Sequence, residues 1–314
     1  MDDVIRVHYT SSLEIPHHIP DDRTIIDLCD HAPDDGTTLQ LNEGVLVKYR
    51  NVSIEECRNQ VEARRLLDKK IVVVPEVYRY FSKGTENYLV MEFVQGTVKN
   101  LIEDDESITK IARIVRYLQT YQSNVPGPLA GGQSRGLFWE NEEIELRSAL
   151  RLEEYLNRRM IGDQEGLYIK VGKLVLNHND IAPRNIIWMP DGSICLIDWS
   201  HAGYYPQLLE LVILGFNTQE GKDSGFTERL RIKLGSLTAR EEEDLDLLKM
   251  AWFNSHHYEI EPLDGRVGHL AEFADAPFDS DHGDGKTCSL HNETAVLFDA
   301  RAFSDRLWAD LQKA

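Results

Sequence analysis

The chain is short of positive charge, poor in cysteine and without a long apolar run. It carries 34 Lys and Arg against 53 Asp and Glu, a net charge of −19. Nucleic acids and anionic membranes both need basic surface to hold their phosphates, so neither is an expected partner. An acidic surface suits a cationic partner, and it also keeps a protein soluble. Cys29, Cys57, Cys195 and Cys288 form no C-x-x-C pair, so neither a disulfide framework nor a zinc site is indicated. Met1-Asp2-Asp3-Val4 is not a basic start to an apolar stretch, so no signal peptide is expected and a reducing cytoplasm is the expected compartment. The most apolar run, Leu208 to Phe216, is too short to span a bilayer and contains Glu210.

What is present suffices for a packed core: 42% of the 314 residues are hydrophobic and 28% are charged. Ile25-Ile26-Asp27-Leu28 and Leu39-Gln40-Leu41 read as short strands, with a turn at Asp34-Asp35-Gly36. Val45 to Tyr49 reads as a strand. Ser53 suits the N-cap of a following helix, with Glu55 and Glu56 in its first turn. Val77 to Phe81 and Asn87 to Val94 form a hairpin about Lys83-Gly84. After Gln95-Gly96 the spacing turns helical from about 97 to 122, and a further helix is expected at about 141 to 160. The remainder from about 207 reads as mostly helical. Strands early and helices late predict an α+β protein with a β-rich first lobe, 1–94, and a mainly helical second lobe, 95–314.

The chemistry concentrates in Leu176-Asn177-His178-Asn179-Asp180-Ile181-Ala182-Pro183-Arg184-Asn185-Ile186-Ile187 and in Ile194-Cys195-Leu196-Ile197-Asp198-Trp199. A hairpin turning at Asp191-Gly192 brings Asn185 and Asp198 to the same end of adjacent strands. Asp180 stands on the loop feeding the first strand. Two carboxylates and an amide oxygen converging at one end make a hard oxygen site of the kind Mg²⁺ takes, completed by waters and phosphates.

His178-x-Asp180-x-x-x-x-Asn185 resembles the catalytic loop of protein kinases and their relatives, and Asp198 follows Asn185 by thirteen residues, as their second metal-binding Asp does. Ile197-Asp198-Trp199 is not D-F-G. It is similar to the I-D-W or I-D-F of aminoglycoside phosphotransferases and choline-kinase-type enzymes, and the run through Ala202-Gly203-Tyr204-Tyr205-Pro206 resembles their filamentous-fungal members. The resemblance implies a protein-kinase-like two-lobed fold that binds ATP and Mg²⁺ and phosphorylates a small-molecule hydroxyl acceptor. Asp180 would accept or orient the proton of the attacking hydroxyl, and Asn185 and Asp198 would hold Mg²⁺. His178 would buttress the loop. Arg184 could neutralise charge on the phosphate path or pair with a surface acid. Asn179 replaces the family's usual Gly; if that position has positive φ, Asn is the least costly substitute.

The same resemblance implies a phosphate-binding Lys on an early strand, held by a Glu on the next helix. Lys48 fits the first role. For the second, Glu62 is preferred over Glu55 and Glu56 because it lies mid-helix, one turn before Leu66. Tyr88 to Val94 resembles the strand into a kinase hinge, which would set the adenine edge against the backbone of Glu92 and Val94, with Leu46 above the purine and Ile187 below. The glycine loop departs from the pattern: no G-x-G-x-x-G precedes Lys48, and Gly36 and Gly44 stand alone. Two other readings remain: a kinase-fold binding protein that has lost turnover, and a protein kinase, which the Ile-Asp-Trp and the lack of an A-P-E-like segment disfavour. Asp279 to Gly285 fails the EF-hand register, and His256-His257 lacks a third ligand at metal-site spacing.

Overall fold

The computed structural model describes residues 4–260 apart from 14–17, 34–35, 137, 140–143, 162–166, 218–224 and 259. The first part is a five-stranded antiparallel sheet of β1 (Ile5–Thr10), β2 (Thr38–Asn42), β3 (Val45–Tyr49), β4 (Val77–Lys83) and β5 (Glu86–Glu92), in the order β1-β4-β5-β3-β2. Strand alternation in β3 separates two environments. Val45, Val47 and Tyr49 are buried on one face, while Leu46 and Lys48 lie half-buried on the other. Helix α1 (Asp22–Asp30) covers the first face with Ile25, Ile26 and Cys29. Helix α2 (Ile54–Leu66) lies on the second, where Leu46 packs with Cys57 and Val61.

Helix α1 replaces the strand expected at Ile25 to Leu28. Ile25, Ile26 and Cys29 fall on one helical stripe, and the Asp21 side chain caps the helix by accepting from the Thr24 N–H at 3.0 Å. A four-residue apolar run does not tell the two states apart; packing against β3 does. Among the described residues β2 is therefore an edge strand, and no outer strand forms a glycine hairpin with it.

The second part begins with β6 (Thr97–Val98) and α3 (Asp105–Leu118). The helix expected from 97 starts only at 105, because Thr97 and Val98 pair with Trp188 and Ile187 and Asp104 is the cap. Next come β7 (Gln122–Ser123), β8 (Gly127–Pro128), α4 (Ala149–Asn157), β9 (Leu174–Asn177), β10 (Ile186–Trp188), β11 (Ile194–Leu196) and β12 (Gly203–Pro206). Helices α5 (Leu209–Asn217), α6 (Phe226–Leu234) and α7 (Ala239–His257) follow. Among the described residues of the helix expected over 141–160, only Ala149–Asn157 are α-helical, as α4, which Ser148 caps. The segment 279–285 lies outside the described residues.

One apolar cluster joins the two parts. Ala63, Val72 and Val74 from the first pack with Ile111 and Val115 of α3 and with Leu196 and Trp199 beside β11. Trp199 is fully buried, and truncating a residue of that size in a core costs about 3–5 kcal/mol. Val73 adds backbone bonds to Ile194 and Leu196 at 2.9 and 3.0 Å, which fix the β10–β11 hairpin beneath α2. No helix among the described residues is long and apolar enough to cross a membrane.

Candidate active site

The β10–β11 register pairs Ile186 with Leu196 and Ile187 with Cys195, and Ile197 N–H donates to the Asn185 carbonyl at 3.1 Å. Asn185 and Asp198 therefore meet at one end of the hairpin. Asn179 and Asp198 both adopt left-handed backbone, φ 59° and 63°. Such a conformation costs of order 1–3 kcal/mol in non-glycine residues, least in Asn and Asp, and has to be held by its surroundings. Asn179 is held by its Nδ2 donating to the His201 carbonyl at 3.1 Å, and Asp198 by Ser200 Oγ donating to its Oδ1 at 2.7 Å.

Asp180 is buried and both its oxygens are engaged. Asn185 Nδ2 donates to Oδ2 at 2.7 Å and to the Asp180 carbonyl at 2.9 Å, while Arg184 Nη2 donates to Oδ1 at 2.6 Å. Burial raises the Asp180 pKa, and Arg184 pulls against that rise. His178 is fully buried, edge-on to Trp199 with centroids 4.7 Å apart. Burial lowers its pKa to about 4, so at neutral pH it is an uncharged packing group.

Glu210 is a site residue that the sequence reading passed over, noting it only as a charge inside an apolar run. Buried at the start of α5, it accepts the backbone N–H of His178 at 2.7 Å and of Asn179 at 3.1 Å. Burial pushes its pKa up to about 7, against the backbone donors that favour the charged form. A lone carboxylate in an otherwise apolar helix is itself a signal, since burying it without donors costs too much to persist.

On the sheet side, Lys48 Nζ sits 2.6 Å from Glu56 Oε1 and 3.3 Å from Asp198 Oδ1. The helix partner of Lys48 is thus Glu56, not Glu62. Only four residues connect β3 to α2, so the first turn of the helix lies over the end of the strand. Glu62, six residues on, is about 9 Å further along the axis and points elsewhere; it pairs with Arg65 at 2.6 Å on the exterior. Burial pushes Glu56 up to about 7 and Lys48 opposes it.

Asn59, fully buried on α2, was also missed. Its Nδ2 reaches the carbonyls of Trp199 at 3.1 Å and Ala202 at 3.0 Å, and its Oδ1 accepts the Ala130 N–H at 3.1 Å. It ties α2 to the loop that carries Asp198.

At the exit from β5, Glu92 N–H donates to the Glu76 carbonyl at 2.8 Å and Phe93 N–H to the Gly44 carbonyl at 3.1 Å, whereas the Val94 N–H meets no acceptor among the described residues. Leu46 shares the Lys48 face of β3, and Ile187 lies on β10 under the Gly96 crossing. A Cβ on Gly96 would stand 2.5 Å from Ile187 Cγ2 and 2.6 Å from the Trp188 carbonyl, so only glycine fits there.

A divalent ion fits this donor set. Asn185 spends its amide hydrogens on Asp180, and Asp198 engages Ser200 and Lys48 through Oδ1. That leaves Asn185 Oδ1 and Asp198 Oδ2 without a donor among the described residues. Two hard oxygens are what Mg²⁺ takes from a protein when phosphates and waters supply the rest. No group of three His, Cys, Asp or Glu able to hold a metal occurs among the described residues, which accords with so sparse a set.

A half-buried lysine bridges a helix carboxylate and Asp198, beside a buried Asp–Asn pair, in a protein-kinase-like fold. The profile of the phosphotransferase enzyme family matches residues 37–246, about two thirds of the chain, and the chain belongs to that family. No curated protein matches it. Among solved structures, aminoglycoside phosphotransferase APH(4)-Ia is similar at 14% identity, covering 74% of this chain and 88% of that one, with a TM-score of 0.47. Choline kinase LicA from Streptococcus pneumoniae is similar at 17% identity, covering 72% and 82%, with a TM-score of 0.43. Aminoglycoside-3'-phosphotransferase of type VIII is similar at 15% identity, covering 73% and 98%, with a TM-score of 0.45.

Proposed function

We propose that the chain transfers the terminal phosphoryl group of Mg-ATP to a hydroxyl of a small molecule, using a nucleotide lobe of residues 1–94 and a catalytic and acceptor lobe of residues 95–314. The observation that carries this is the assembled charged cluster: Lys48 held between Glu56 and Asp198, with Asp180 fixed by Asn185 alongside. Lys48 meets the nucleotide phosphates as a point charge whose position Glu56 sets. The backbone of Glu92 and Val94 takes the adenine edge, between Leu46 and Ile187. Asn185 and Asp198 would hold Mg²⁺. When bound, the ion supplies charge neutralisation on the phosphate oxygens. Asp180 orients the acceptor hydroxyl and takes its proton as the new O–P bond forms and the bond to the leaving ADP oxygen breaks.

A second reading, a binding protein without turnover, is favoured by one observation: among the described residues β2 is an edge strand, with no further strand outside it to close a glycine-rich loop. One pair of measurements separates the two. ATP hydrolysis and phosphotransfer are followed across a panel of amino alcohols, sugars and aminoglycosides, and Mg-ATP binding is followed by calorimetry. Asp180→Asn is expected to lower turnover by roughly 10²- to 10⁴-fold while leaving nucleotide affinity nearly unchanged. A parent that binds Mg-ATP yet never turns it over is the binding protein.

A further inference from the structure

We propose that Arg184 reads the acceptor: its guanidinium binds a carboxylate or phosphate carried close to the hydroxyl that is phosphorylated. The inference rests on the phosphotransferase reading of the site and names its substrate class. It starts from the two oxygens of Asp180, which face different neighbours. Oδ2 is held by the amide of Asn185, on the side of the metal ligands. Oδ1, the oxygen assigned to the hydroxyl in this proposal, accepts from Arg184 Nη2 at 2.6 Å.

A carboxylate oxygen has lone pairs enough for two donors, so the hydroxyl and Nη2 share it rather than compete for it. A hydroxyl bound at Oδ1 then has the guanidinium as its immediate neighbour. That guanidinium is 57% exposed, and its other donors meet no described residue. Planar and always charged, it presents a fork that matches a carboxylate or phosphate in bidentate fashion and repels an ammonium.

The net charge of −19 pointed toward a cationic acceptor. That charge is spread over the whole surface and is screened beyond about 8 Å at physiological salt, whereas Arg184 acts at contact distance. Local charge therefore decides. A role for Arg184 on the nucleotide is disfavoured by its place on the oxygen turned away from Asn185, and because Lys48 already faces Asp198.

The test uses matched acceptors: D-gluconate, D-glucose and D-glucosamine form one set, and glycerol 3-phosphate, glycerol and choline the other. The anionic member is expected to be the best substrate of its set, and the two sets separate carboxylate from phosphate recognition. Arg184→Met should lower kcat/KM for the anionic member by roughly 10- to 100-fold, the worth of a charge-assisted pair, with KM for ATP moving less than about twofold. Arg184→Lys should restore part of the loss. A parent preferring the uncharged or cationic members, or an Arg184→Met variant impaired chiefly in KM for ATP, overturns the proposal. Where no acceptor is turned over, calorimetry with D-gluconate and glycerol 3-phosphate in the presence of a non-hydrolysable ATP analogue decides. Binding weakened at least about tenfold in Arg184→Met upholds the anion site, and binding of neither compound to the parent overturns it. ATP hydrolysis indifferent to Asp180→Asn, with anion binding still dependent on Arg184, sinks the phosphotransferase reading alone. Hydrolysis sensitive to Asp180→Asn without any anion preference sinks the Arg184 proposal alone.

Discussion

Residues 45–64 and residues 176–202 both deliver charged groups to one cluster, and they do so by different means. In the later stretch, a loop and one hairpin carry Asp180, Asn185 and Asp198, so spacing along the chain converts directly into position in space. Ile186 opposite Leu196 is enough to set Asn185 beside Asp198. In the earlier stretch, Lys48 is on a strand and its partner on a helix, and the pairing depends on where that helix docks. Glu55, Glu56 and Glu62 are all on α2, and only docking selects Glu56. A constellation encoded on one hairpin is local; one shared between a strand and a helix belongs to the tertiary fold.

The comparison can be sharpened by breaking each half. On the hairpin, Asp198→Asn keeps a residue that tolerates left-handed backbone and removes the charge. We expect Mg²⁺-dependent nucleotide affinity to fall by at least about a hundredfold by calorimetry, with the fold intact by circular dichroism. Unchanged Mg-ATP affinity would remove Asp198 from the metal site. On the strand–helix side, Glu56→Gln should cost roughly 10- to 100-fold in turnover, about 1.4 to 2.7 kcal/mol, against less than about twofold for Glu62→Gln. The reverse ordering in steady-state kinetics would return the role to Glu62.

Asn59 joins the two stretches. Asn59→Leu takes the acceptor from the Ala130 N–H and one of two donors from each of the Trp199 and Ala202 carbonyls, which keep the N–H groups of Ala202 and Leu129, a loss of about 1–2 kcal/mol in chemical denaturation. If the variant is as stable as the parent, the joint does not depend on Asn59. The smallest effect is a pH trend from Glu210. Burial pushes its pKa in the fold up to about 7, above the ordinary 4.5 of a glutamate. Its contribution to stability is therefore fully present below about pH 4.5 and lost as pH rises through about 7, because the unfolded chain ionises first. Relative to the parent, Glu210→Gln should thus gain in melting temperature between pH 4.5 and 8. A gap that moves the other way means that the His178 and Asn179 donors favour the charged carboxylate more than burial opposes it.

By itself the sequence determined the hairpin and its acids, the capped helix after Ser53, the strand that carries Lys48 and a strand-rich first part ahead of a helix-rich second part. Each of these rests on short-range periodicity, caps and turn residues, which need no knowledge of distant chain. The positive φ at Asn179 agrees with the resemblance, in which Asn stands where the family usually has Gly, since Asn tolerates that conformation better than most side chains. Tertiary structure alone decided the rest. Ile25 to Leu28 became helix because β3 offered an apolar face to cover, and that choice left β2 an edge. Glu56 won over Glu62 because a four-residue connection lays the first turn of α2 on the strand end. Asn59 and Glu210 became site residues because their partners are backbone groups 71 or more and 31 or more positions away. A carboxylate or an amide shows in the sequence what it can bond, but only the packed chain determines which N–H or carbonyl is within reach.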